Sequence, residues 1–354
     1  MVKIGVIGTG RMGQRHCRVI SGLPRTELGG VYDQDQQTAQ QVAAQYEAPA
    51  YERLEDLLDN VTAVVIATPT AFHFEQALRC LQRGRHVLIE KPMAETLDQA
   101  QALARAADAS ACVVQVGHIE RFNPAYIELK NVLQQTKPLA INFRRLSPFE
   151  SSNADVDVVL DLMIHDIDLL LDVGRAKPAA VSACGLMADS GTLDHVTAQI
   201  WFESGPLVSL TASRVTEQKI RSIDVTAREG YLECDLLSRS ILVHRSTIGE
   251  YHNGNERGFK YRQESVVERI YVPNFEPLFL ELQHFVDCIV DGKTPDVTAA
   301  DGLEALRWAM RVREASQSHL VDMRSWNTGM DTWSDLTPQP ATTSTWAPAT
   351  LPPA

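Results

Sequence analysis

Ile89-Glu90-Lys91-Pro92 closes a short apolar run, which puts Lys91 at the end of a buried strand with a proline fixing the backbone behind it. A lysine held there can stabilise an oxygen that gains negative charge during a reaction. A second group of residues interrupts the apolar helical stretch from 158 to 173. Asp157, Asp161, His165, Asp168 and Asp172 recur at steps of 4, 4, 3 and 4, so a regular helix gathers them into one polar stripe, which must meet water or a cleft. Histidine is a natural proton acceptor because its ordinary pKa of about 6.5 lies close to neutral pH, and Asp161 stands one turn before His165, where it can orient the ring or raise its basicity. The plainer readings are an exposed Lys91–Glu90 pair and a solvent-facing edge for the stripe.

Upstream, Gly8-Thr9-Gly10-Arg11-Met12-Gly13 spells G-x-G-x-x-G directly after a strand and at the opening of a helix. In that setting Gly8 permits the turn, Gly10 lets a pyrophosphate approach the backbone, and Gly13 lets helix and strand pack closely, with the helix N-terminus facing the phosphates. Asp33 ends the second strand, 20 residues after Gly13, where a carboxylate accepts bonds from ribose hydroxyls and repels a 2′-phosphate; no arginine follows at once, so NAD is favoured over NADP. Asp33 could instead cap the next helix. Thr68-Pro69 and His73 lie at another strand end on the same edge of the sheet, where they contact the cofactor or merely start a helix.

Those groups need a scaffold. From residue 2 to about 117, continuous apolar runs alternate with helical patterns, which predicts a doubly wound α/β Rossmann domain with a parallel sheet over residues 1–120. Residues 121–320 read as an α+β domain for substrate and self-association. Helices are expected at Pro124 to Leu133, Asp157 to Val173, Pro277 to Val290 and Thr298 to Ser318. Strands at 179–187, 195–202, 206–215, 221–229, 231–244 and 265–272 predict a large, mainly antiparallel open sheet. An open sheet with apolar alternation, as in Val196, Ala198 and Ile200, needs a partner for its second face, which predicts a homodimer or homotetramer. Residues 321–354 form a C-terminal extension whose last part, rich in Pro and Thr, reads as a flexible tail.

A chain of 354 residues exceeds one ordinary core. Its net charge of -12 argues against nucleic acid and anionic membrane, while a local basic pocket can still attract a small anion. Six scattered cysteines without metal spacing predict reduced thiols and no metal site. With neither a signal peptide nor an apolar run of about 18 residues, the expectation is a cytoplasmic protein.

The ordered combination of G-x-G-x-x-G followed by His16, Thr68-Pro69 with His73, Glu90-Lys91-Pro92 and Asp161-x-x-x-His165 resembles the glucose-fructose oxidoreductase and inositol dehydrogenase (Gfo/Idh/MocA) family over about residues 1–320. The resemblance implies an NAD-dependent dehydrogenase acting on a CH–OH group. In it Lys91 and His165 work at the substrate hydroxyl, Asp161 orients or binds it, and Gly8, Gly10, Arg11, Met12, Gly13, Asp33, Thr68, Pro69, His73, Glu90 and Lys91 form the cofactor site. Where many relatives carry a Gly-Gly pair, this chain has Val156-Asp157-Val158, a departure that bears on the pose of the substrate.

The stretches Gly117 to Pro124 and Asp161 to Asp168 look most like the branch that oxidises nucleotide sugars at C3, which implies a UDP-amino sugar on the way to the diamino sugar of lipid A. Arg121, Asn123 and Asp168 are then substrate candidates, with Arg144, Arg145 and Arg214 as further sources of charge for a diphosphate. A dehydrogenase of inositol or a free sugar, a glycosidase that uses tightly held NAD as a transient oxidant, and an NAD-binding regulator without turnover are the competing expectations.

Overall fold

A computed structural model describes residues 1–150, 155–174, 177–188, 190–252 and 259–322; the expected C-terminal tail lies outside them. The first half runs β1 (Val2–Ile7), α1 (Arg11–Gly22), β2 (Thr26–Tyr32), α2 (Gln36–Gln45), β3 (Ala50–Tyr51), α3 (Leu54–Asn60), β4 (Ala63–Ile66), α4 (His73–Gln82), β5 (His86–Glu90), α5 (Leu97–Asp108) and β6 (Val114–Gly117). The strands form one parallel sheet in the order β3-β2-β1-β4-β5-β6. Helices cover both faces, which is why all four residues of β4 are buried and the sequence reads as an unbroken apolar run. The strand order reverses between β1 and β4, and a crevice opens beyond their C-terminal ends.

The second half contains α6 (Pro124–Leu133), β7 (Pro138–Leu146), a wide π-helical turn (Val159–Met163) leading into α7 (Ile164–Val173), then β8 (Pro178–Met187), β9 (His195–Phe202), β10 (Leu207–Ser213), β11 (Ile220–Ala227), β12 (Gly230–Asp235), β13 (Ser240–His252) and β14 (Phe259–Ile270). After these come α8 (Pro277–Asp291), α9 (Ala299–Ser318) and β15 (Leu320–Asp322). The nine-stranded sheet has the order β14-β13-β12-β11-β7-β10-β9-β8-β15 and is antiparallel except for the pairs β7–β10 and β8–β15. Its inner face, with Ile141, Phe143 and Leu210, packs on Tyr126 of α6, Ile167 and Leu170 of α7 and Trp308 of α9.

The structure departs from the sequence reading in two places. β7, central to the sheet, went unread because its inward positions include Arg145, and a charged residue there breaks the apolar alternation. The single strand read at 231–244 is a hairpin, turned by Asp235, whose Oδ1 accepts from the N–H groups of Leu237 and Ser238. Val196, Ala198 and Ile200 face the core, and the second face of the sheet carries Trp201, Leu207 and Tyr231, all exposed.

The chain also returns to the first domain. Leu278, Leu282, Phe285 and Val286 of α8 share a core with β1 and α1. Along α9, Leu306 joins the core around β5 and α5, while Ala305, Ala309 and Val312 join that of the second domain. No helix among the described residues is long and apolar enough to cross a membrane. Phe285 is fully buried in this seam. Phe285→Ala is expected to cost about 3–5 kcal/mol in an equilibrium urea titration; a loss below about 1 kcal/mol would mean that α8 adds little to the first domain's core.

Candidate active site

At the β1–α1 turn two of the three glycines, Gly8 and Gly13, are required by contact. Gly8 has a φ of +93°, and a Cβ there would lie 2.8 Å from the Ala67 carbonyl. A Cβ on Gly13 would come within 1.8 Å of the Gly8 oxygen, whereas one on Gly10 would meet open space. That open side, together with a helix N-terminus that has no side-chain cap, leaves room for a pyrophosphate against the backbone. Asp33 closes the far end: its Oδ2 accepts from Thr9 N (2.6 Å) and Oγ1 (2.9 Å), which holds the carboxylate beside the loop. The crevice fits a dinucleotide: Gly10 would face its phosphates and Asp33 would hold its ribose.

From this edge a cleft of about 440 Å³ continues between the halves, lined by Arg11, Met12 and Thr68 on one side and by Lys91, Asp161 and His165 deeper in. The Lys91 ammonium donates to the Asp161 backbone carbonyl at 2.6 Å and lies 3.5 Å from Asp161 Oδ1. Asp161 sits in the π-helical turn, where Ile164 N reaches back to Val159 O; such a turn widens the helix and turns carbonyls outward. His165 follows on the first turn of α7. Its Nδ1 is buried with no hydrogen-bond partner among the described residues.

Burial pushes the Lys91 ammonium below its ordinary pKa, against the charges of Asp161 and Glu90. His165 is held well below its ordinary value by burial first and then by the charges of Lys91 and Arg145, so the ring is a neutral proton acceptor. Behind Lys91, Glu90 Oε1 is 2.8 Å from His16 Nε2. Burial would raise the Glu90 carboxyl, but the His16 hydrogen bond and the charges of His16 and Lys91 outweigh it. Glu90 is therefore an anion that helps to keep the lysine charged.

The floor is an ion network that sequence reasoning missed. Arg145, only 1% exposed, donates to Asp166 at 2.6 Å and to Glu120 at 2.8 Å, and Arg221 reaches the same Glu120 oxygen at 2.9 Å. Burial alone would raise Glu120, but the two guanidinium groups hold it below the ordinary carboxylate value. The signal was present in Glu120 and Asp166, which neighbour Arg121 and His165 in the chain.

Other candidates lie elsewhere. His73 is buried, with one ring nitrogen 2.8 Å from Pro92 O and the other 2.8 Å from Thr68 O, so it ties two strand ends together behind the cofactor crevice. Thr68 reaches the cleft, but its hydroxyl donates to Gln76; Pro69 stands outside the lining. Arg121 grips Asp168 through two 2.8 Å bonds and also reaches Asp172, so both expected substrate contacts are taken up by each other away from the cleft. Asn123 caps α6 by accepting from Ala125 N. Arg214 is buried against Asp194 and Arg144 is exposed on the outer face of β7. The expected stripe is thus split: Asp157 caps the π turn and pairs with Arg313, Asp168 and Asp172 pair with Arg121, and only Asp161 and His165 meet the cleft.

A doubly wound nucleotide domain with a lysine and a neutral histidine facing one cleft defines a dinucleotide-dependent dehydrogenase. The chain belongs to the GFO/IDH/MocA oxidoreductase family: residues 2–118 match its NAD-binding Rossmann fold and residues 140–233 its C-terminal domain. The cofactor is NAD. Among curated relatives, a UDP-N-acetylglucosamine 3-dehydrogenase from Acidithiobacillus ferrooxidans is 31% identical over 90% of this chain and 98% of its own. A scyllo-inositol 2-dehydrogenase (NAD(+)) from Bacillus subtilis is 28% identical over 85% of this chain and 90% of its own. The solved structure of the Acidithiobacillus enzyme superposes with a TM-score of 0.79, covering 90% of this chain and 98% of that one. The Gly13 contact predicts that Gly13→Ala removes NAD binding in a fluorescence titration while far-UV circular dichroism is unchanged; undiminished affinity would show that the turn tolerates a side chain.

Proposed function

We propose that this enzyme oxidises the C3 hydroxyl of UDP-N-acetylglucosamine to the 3-keto sugar, a step that feeds synthesis of the diamino sugar of lipid A. The observation that carries the chemistry is the convergence of Lys91 and His165 on one cleft beside the Gly10 crevice. The choice of sugar rests on likeness to the Acidithiobacillus enzyme over nearly the whole of both chains. NAD, when bound, supplies the two-electron acceptor. His165 takes the hydroxyl proton, because it lines the cleft and its ring stays neutral. Lys91, aimed by the Asp161 carbonyl, donates to the oxygen as it becomes a carbonyl oxygen, and the Arg145 network keeps the ring from protonating.

A second reading, oxidation of inositol or a free sugar, is favoured by the Bacillus relative. A panel of UDP-sugars, inositol and hexoses with NAD, followed by NADH absorbance, separates the two: NADH formed only with inositol or hexoses overturns the UDP-sugar reading. The exposed Trp201, Leu207 and Tyr231 support the homodimer or homotetramer expected for the chain, and sedimentation at monomer mass would overturn it.

Because His165 is held below its ordinary value, the acid limb of kcat/KM should have its midpoint below about pH 6.5, activity being lost as falling pH protonates the ring. Lys91→Met removes one of the charges that depress His165. It should move that limb to higher pH while lowering the rate by about 10²–10⁴-fold. A limb that stays in place would show that the lysine charge does not act on the ring.

A further inference from the structure

Most charges in the cleft are matched. Lys91 meets Asp161, Arg11 pairs with Glu150 at 2.8 Å, Arg214 pairs with Asp194, and Glu120 serves both Arg145 and Arg221. Arg15 and Lys219 line the same cleft, and neither makes an ion pair among the described residues. Among the described residues, the polar contact of the Arg15 side chain is to the Met12 sulfur, at 3.7 Å.

The two come from opposite walls. Arg15 projects from the second turn of α1, roughly 6 Å along the helix axis from Arg11 and so beyond the N-terminus that faces the cofactor phosphates. Lys219 stands immediately before β11, two residues from Arg221, and two-residue spacing puts both side chains on one face. They are near enough to repel: Lys219 is pushed below the ordinary lysine value first by Arg221 and then by burial, with Arg15 and Arg11 adding to the effect and Glu150 opposing it. Glu150, the carboxylate that acts on Lys219, is bound by Arg11, so Arg15 and Lys219 add an excess of like charge that favours an anion in that space. Arg221 continues the line inward, through Glu120, to the Arg145 network beside His165.

We propose that Lys219, with Arg15 opposite and Arg221 behind, forms the subsite for the diphosphate of a nucleoside diphosphate sugar. It rests on the UDP-sugar reading and gives that substrate a direction, with the sugar ring inward against Lys91 and His165 and the diphosphate at the mouth. It also replaces Arg121, Arg144, Arg145 and Arg214 as the source of the charge, since three of those are held by carboxylates and the fourth lies outside the cleft.

The test uses UDP and uridine as probes, titrated calorimetrically into the NAD-loaded protein, with NAD affinity measured separately by fluorescence. UDP should bind at least about tenfold more tightly than uridine, and Lys219→Ala and Arg15→Ala should each weaken UDP by about tenfold. NAD affinity should stay within about twofold, and Lys219→Arg should retain UDP binding. Equal UDP affinity in wild type and Lys219→Ala overturns the subsite. A loss of NAD affinity that matches or exceeds the loss of UDP assigns the cations to the cofactor's own pyrophosphate and also overturns it. Lys219-dependent UDP binding without NADH formation from UDP-N-acetylglucosamine upholds the subsite and removes that sugar alone.

Discussion

The bond from the Lys91 ammonium to the Asp161 backbone carbonyl joins the two halves of the molecule at the point where chemistry takes place. It forms only if β5 delivers a lysine to the end of the parallel sheet and the chain 70 residues later presents a carbonyl that its own helix does not fully use. Asp161 presents that carbonyl from within the π-helical turn, where it accepts from Lys91. A flexible side chain is thereby aimed, and the nearby His165 feels its charge.

Electrostatics then separates the roles of the two nitrogens. Both groups are depressed by burial, but carboxylates flank the lysine, whereas the histidine feels Lys91, Arg145 and Arg221 and lacks a carboxylate among its main influences. The histidine is thereby a neutral base, while carboxylates oppose the depression of the lysine that shares its cleft. The Glu120–Arg145–Asp166 network is costly to bury and adds little to stability by itself. Its place beneath His165 gives it a chemical purpose, a fixed positive potential under the ring.

How much of this was legible depends on the range of the interactions involved. The first domain could be read because strands buried on both faces leave uninterrupted apolar runs, and Gly8 and Gly13 mark contacts that a side chain would not tolerate. Lys91, Asp161 and His165 stood out as polar residues where apolar ones were due. What escaped depends on partners far along the chain. Asp168 resembles a cleft residue until Arg121, 47 positions earlier, is seen to hold it. Arg145 hides a central strand because its burial is made possible by Glu120 and Asp166. Lys219, alone before β11, gains meaning only when folding brings Arg15 across from it.

The sharing of α9 between two cores bears on motion. One twenty-residue helix rests on the cofactor half through Leu306 and on the sheet half through Trp308 and Val312, and α8 fastens the same connection to β1. Hinged opening would have to break several of these apolar contacts at once, so packing on the side of the helix turned away from the cleft resists a change in the spacing of its walls.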